Sequence, residues 1–217
     1  MTIQKVMKLD ILSIKPYLTI KNLVLLVGLS ILYSVLSQNI LFVASMTQIF
    51  SIMFASYPFL VGEESGIDPL YKMFGIKADE VVKGRYGVGI LFVLTMLLVG
   101  ALLLFFISIF YPQEHLLESL LVIIPSTFIL STLVIFIQYP LYFKYGYTKG
   151  KQLAMIPFLL IAIIMLVSNL YQKEMVSFVG YLADKKILLM VIVVAFWLIS
   201  LGISFKLSKK YYTQREF

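Results

Sequence analysis

The chain has no cysteine, which excludes disulfides and thiolate metal sites. Its single histidine, His115, removes every catalytic or metal motif that needs two. Charge is scarce. Charged residues make up 13% of the 217, against 61% hydrophobic, and the mean hydropathy is +0.98. An ordinary soluble domain carries about a quarter charged residues, so this composition places the chain among polytopic membrane proteins.

What is present is a series of long apolar runs. About 20 apolar residues cross the hydrocarbon core as a helix, and six such runs are expected at about 17–37, 40–62, 87–111, 116–143, 153–171 and 187–207. The expected fold class is an all-α membrane protein of six transmembrane helices, with 1–217 forming a single transmembrane permease-sized domain. Pro58, Pro125, Pro140 and Pro157 fall inside these runs and offer kinks. No cleavable signal peptide is expected, because the first apolar run follows four lysines and no small-residue cleavage site closes it.

Residues 1–16 are too charged to span. Ile3, Val6, Met7, Ile11 and Ile14 recur at helical spacing, while Gln4, Lys5, Lys8 and Lys15 supply a polar, mostly basic face. This pattern suits a helix lying in the interface beside anionic headgroups, with Pro16 near its end; a frayed basic tail is the alternative. The 18 Lys and Arg are distributed unevenly over the expected loops, fifteen on one side of the membrane and three on the other. That bias puts both termini and the 63–86 loop in the cytoplasm. The net charge of +7 is therefore mostly positive-inside bias, and nucleic acid is not an expected partner. The loop at 172–186 lies outside and reads either as an apolar face on the outer interface or as a plain surface loop.

No ionisable residue stands in the middle of any run; Lys21 and Glu118 lie near ends. Intramembrane charge marks proton relays and ion-coupling sites, so a proton-driven carrier or ion pump is disfavoured and energy for uphill transport should come from elsewhere. The uncharged polar groups mostly serve helix packing; Gln48 and Ser51 are the candidate path-lining pair. Catalytic readings fail. Gly146–Gln152 echoes a phosphate loop but has the wrong glycine spacing, with Gln152 where Ser or Thr should hold magnesium. No catalytic, cofactor or metal site is expected in this chain.

The polar segment 63–86 holds nine of the charged residues. Asp68-Pro69 reads as a helix start, Gly75 as its stop, and Ile67, Leu70, Tyr71 and Phe74 recur at i, i+3, i+4 and i+7 as one apolar face. A second helix is expected to begin near Ala78 and continue into the third span. An apolar cytoplasmic face suits insertion into a groove on a soluble partner, with Tyr71 and Phe74 as aromatic anchors; the membrane surface itself is the alternative cover.

With these residues in view, the chain resembles the membrane subunit of type-two bacterial ABC exporters. The topology carries the resemblance along the whole chain, and the motif lies between Phe59 and Tyr86. It comprises Glu63-Glu64 at the end of span two, a short coupling helix around Leu70, and Arg85-Tyr86 opening span three. Phe74-Gly75 stands where the family commonly has Leu-Pro. Among its members, small Gram-positive permeases that export amphipathic peptides, such as the phenol-soluble modulin exporter, look most similar. The resemblance implies a coupling helix that docks on a separate ATPase, which binds ATP and Mg, and a second permease subunit, identical or not. It implies a bacterial cytoplasmic membrane and an outer gate at 172–186. It also suggests a brace of Glu63 and Glu64 paired with Lys83 or Arg85, with Tyr86, at the base of spans two and three. The alternatives are a substrate-capture subunit of an ATPase-driven vitamin importer, disfavoured by weakly polar outer loops, and a non-transporting immunity or scaffold protein.

Overall fold

A computed structural model describes residues 3–37, 39, 42–110, 116–156 and 185–215. These residues form helices and short turns, with no strand among them. In order they are α1 (Ile3–Ile14), a 3-10 turn (Lys15–Tyr17), α2 (Ile20–Ser37), α3 (Phe42–Glu64), α4 (Ile67–Met73), α5 (Ala78–Phe110), α6 (Leu116–Leu153) and α7 (Lys186–Gln214).

Four of the described helices, α3, α5, α6 and α7, are long and apolar enough to cross a membrane. The segment Ile3–Tyr17 followed by Ile20–Leu36, bent by 73°, makes a fifth candidate. We read α1 as lying outside the spanning part, because its basic exposed face and the sharp bend separate it from α2. Most of the fifth expected span, 153–171, and of the outer loop, 172–186, lies outside the described residues, so the structure accounts for four to five of the six expected spans.

Helix α5 has 33 residues, about 50 Å of rise, which exceeds the ~30 Å hydrocarbon core. The surplus is its first turns, Ala78 to Tyr86. Around them gather α1, the end of α3, α4, the end of α6 and the end of α7. The N-terminal helix, the 63–86 segment and the C-terminal helix therefore meet at one end of the bundle. The main core sits at this end, where Phe59, Tyr139, Tyr142 and Phe143 pack ring on ring at 4.7–5.1 Å about Phe59. Away from it the helices expose Leu98, Leu102, Phe105 and Phe106 of α5 and most of α7, surfaces that suit lipid or a neighbouring subunit.

The non-helical backbone within α6 falls at Gly146 (φ 80, ψ 176), beyond Pro125 and Pro140. The segment that echoes a phosphate loop is thus a helix break followed by a final helical stretch.

Candidate functional site

Helix α4 begins after Gly66, two residues earlier than the Asp68-Pro69 pair suggests, and Asp68 makes no capping bond. Its carboxylate turns inward. The helix stops as expected: Gly75 takes φ 66, its N–H donates to the Lys72 carbonyl at 3.0 Å, and the Ile76 N–H donates to the Tyr71 carbonyl at 3.0 Å. This is the paired-bond stop that a left-handed glycine permits. Phe74-Gly75 therefore closes the corner without a proline.

At the centre of the junction is Arg85, with no solvent exposure. Its guanidinium lies 2.5 Å from Asp68 of α4 and 3.7 Å from Asp10 of α1. The carbon of the guanidinium also sits 4.5 Å from the Phe59 ring centroid, a cation–π contact with α3. Tyr71 of α4 donates to Asp10 at 3.0 Å, and Arg215, just past α7, approaches Asp68 at 3.9 Å. One buried cation thus ties together the N-terminal helix, the end of the second long helix, α4 and α5. Burial of a charge this deep is sustained by pairing and by the remaining hydrogen bonds. Burial pushes the Asp10 carboxyl up to about 6 against the opposing pull of Arg85 and Tyr71.

The expected brace is corrected by this geometry. Arg85 pairs with Asp68 and Asp10, not with Glu63 or Glu64. Lys83 pairs with Asp79 one turn away at 2.6 Å, on the outer face of α5. Glu63 crosses to α6, where it accepts from the Tyr147 N–H, from the Thr148 N–H at 3.2 Å and from the Thr148 hydroxyl at 2.8 Å. It serves as the acidic cap of the helical stretch after Gly146. Glu64 accepts from the Tyr17 hydroxyl at 2.7 Å. The physical reason is angular: helix neighbours diverge by about 100°, so Glu63, Glu64, Lys83 and Arg85 face four different surroundings. Tyr86 likewise turns away from Arg85, toward Ser204 (2.5 Å) and Ser208 (2.9 Å) of α7. Tyr86→Phe should lower stability by about 1–2 kcal/mol, read as a modest drop in melting temperature in detergent micelles.

The expected docking face is also revised. Ile67 is half-buried and Tyr71 is 2% exposed, directed at Asp10, whereas Leu70 (43%), Met73 (80%) and Phe74 (77%) are open. Heptad-like spacing placed Tyr71 with Phe74, but α4 turns one flank inward toward Asp10 and Arg85, and Tyr71 is on it. Leu9 and Leu12 of α1 join Leu70 and Phe74 around an apolar groove of about 460 Å³. Gln48 and Ser51 sit in the packed contact of α3 with Val93 of α5 and Ser131 of α6, where no water-sized space remains, and Ser51 donates to the Gln48 carbonyl. An open cavity of about 570 Å³ lies on another face of α3, lined by Ile49, Ile52, Met53 and Ser56 with Gln138 and Tyr142 of α6.

Sequence reasoning missed Asp10 and Asp68 as members of the cluster. For Asp10 a signal was available: Val6, Asp10 and Ile14 form an i, i+4, i+8 stripe, so the one acid of α1 falls on its apolar face. All three are buried. Gly84 permits the contact, since a Cβ there would come within 2.6 Å of Val6.

The sequence pattern of the ABC-2 family transporter protein matches residues 5–213, nearly the whole chain. The chain belongs to the ABC-2 transporter family. It is thus a membrane permease subunit of an ABC transporter, a transport subunit and not the catalytic one, and the family implies an ATPase partner. No curated protein and no solved structure matches the chain.

Proposed function

We propose that this ABC-2 permease forms the translocation path of an ATP-driven exporter in a bacterial cytoplasmic membrane, and that α4 is its coupling helix. The observation that carries the reading is the state of α4. Its inner flank is fastened by Asp68 to the buried Arg85, while Leu70, Met73 and Phe74 stand uncovered on the outer flank. A helix held this way passes a push from a partner directly into α5. The groove beside it, bounded by Leu9 and Leu12, would admit apolar side chains of the ATPase, the subunit that binds ATP and Mg.

The finer features follow the same logic. The cavity face of α3 is apolar apart from Ser56, with Gln138, Tyr142, Tyr147 and Lys151 opposite, a mixed lining that suits an amphipathic or lipid-like cargo. The exposed apolar flank of α7 and the outer half of α5 suit a second permease subunit as well as lipid.

The test is co-purification with the cognate ATPase subunit. Met73→Ser with Phe74→Ser should weaken its retention about tenfold or more, without changing the permease's own melting temperature. Tyr71→Phe, whose ring stays buried, should retain the ATPase. Undiminished retention in the Met73/Phe74 variant would refute the docking assignment.

A further inference from the structure

We propose that Asp10 is a positioning residue for ATP-driven transport, one whose carboxylate fixes the coupling helix against α1 and whose hold changes when it takes up a proton. The inference rests on the coupling-helix reading of α4.

Asp10 is 1% exposed. Its Oδ1 accepts from the Tyr71 hydroxyl, and its Oδ2 faces the Arg85 Nε at 3.7 Å. That separation is too long for a hydrogen bond, and neither of those two atoms has another partner among the described residues. Asp68, by contrast, lies 2.5 Å from Arg85 with Arg215 at 3.9 Å. One cation therefore serves two acids unequally, and Asp10 is the less firmly held.

The groups that face Asp10 are few. From α4 come the Asp68 carboxylate and the Tyr71 phenol, and from α5 comes Arg85. The Tyr139 phenol of α6 and the Tyr212 phenol of α7 lie within electrostatic reach. From α3 the Phe59 ring covers Arg85, while Glu63 and Glu64 are engaged with Thr148 and Tyr17. Lys8 and Lys15 of the same N-terminal segment are exposed. Asp10 takes up a proton more readily than an ordinary carboxyl, because burial outweighs the pull of Arg85 and Tyr71. The step leaves no orphan cation, since Arg85 keeps Asp68. At neutral pH the ionised carboxylate orients the Tyr71 hydroxyl and the Arg85 guanidinium at a net cost of burial; the proton removes that cost and, with it, the charge that orients them.

The sign of the linkage follows. A buried carboxyl raised from 3.8 to about 6 contributes stability that is full below its unfolded value and is lost as pH rises through the folded one. In full-length chain in detergent micelles, wild type and Asp10→Asn should melt alike in strong acid. They should separate in favour of Asp10→Asn between about pH 4 and 6 and run parallel above. Tyr71→Phe removes a bond that lowers the Asp10 value, so the upper end of its transition should move to higher pH; this variant keeps the packing should Asp10→Asn fold poorly. Superimposable pH profiles for wild type and Asp10→Asn, or no movement in Tyr71→Phe, would overturn the titration.

The positioning role is read in the permease–ATPase complex reconstituted in lipid vesicles. The rate of ATP hydrolysis of Asp10→Asn relative to wild type should be reduced about threefold or more at pH 7.5 and return to near one by about pH 5. A ratio of one at every pH, or a reduced ratio that ignores pH, would assign Asp10 to packing alone. If wild-type permease captures no ATPase, the coupling reading fails and the transport role with it, whereas the micelle measurement still decides the titration.

Discussion

Arg85→Ala should cost about 3–5 kcal/mol of stability, because it leaves Asp68 and Asp10 buried without their cation. For a chain of this size that is a fall in melting temperature of about 10 °C or more, measurable in detergent micelles. Three contacts are lost together: the 2.5 Å pair with Asp68, the longer pair with Asp10 and the stacking on Phe59. Arg85→Lys should not restore them, since an ammonium cannot reach two acids and lie flat on a ring at once. Adding Asp68→Asn and Asp10→Asn to Arg85→Met should recover a large part of the loss, because no charge then remains buried and unpaired. If Arg85→Ala melted within a degree or two of wild type, the cluster would not be what holds α1 and α4 to α5.

Gly146→Ala should be the next most damaging single change. The backbone there, at φ 80 and ψ 176, belongs to a region that only glycine enters readily, and a side chain forced into it costs about 1–3 kcal/mol. A Cβ would also lie 2.6 Å from the Glu63 Oε2, displacing the carboxylate from the Tyr147 and Thr148 N–H groups. Losing those charge-assisted bonds adds about 1.5–3 kcal/mol. The combined effect, about 3 kcal/mol, should appear as a lower melting temperature and as proteolysis between Phe143 and Leu153. Gly28→Ala is the control. Nothing lies within 4 Å of its added methyl, and alanine in mid-helix is favoured over glycine by about 0.5–1 kcal/mol.

Much of the architecture was legible in the amino-acid pattern. The lengths of the apolar runs forecast the long helices, and the stop at Gly75 and the continuous entry from Ala78 into the third expected span appear as expected. The wiring of the junction around Arg85 was not legible. Glu63, Glu64, Lys83 and Arg85 are equally plausible partners by charge and sequence distance. Their actual partners depend on the rotation of α3 and α5 about their axes and on where α1 and the end of α6 come to rest. Tyr71 illustrates the same limit: a period of 3.6 identifies an apolar face but not which flank a short helix buries.

The sequence by itself determined that the chain is an all-helical membrane protein, and that its charged residues gather in its ends and its 63–86 segment and not in the middle of its apolar runs. These are properties of composition and periodicity, set by the cost of placing polar groups in hydrocarbon, and each residue reports them independently. Only the tertiary structure decided that Arg85, Asp68, Asp10 and Tyr71 are one unit, since they are joined from three helices up to 75 residues apart, from Asp10 to Arg85. A buried charge must find its counter-ion wherever packing delivers it, and that place is settled by how the helices lie against one another.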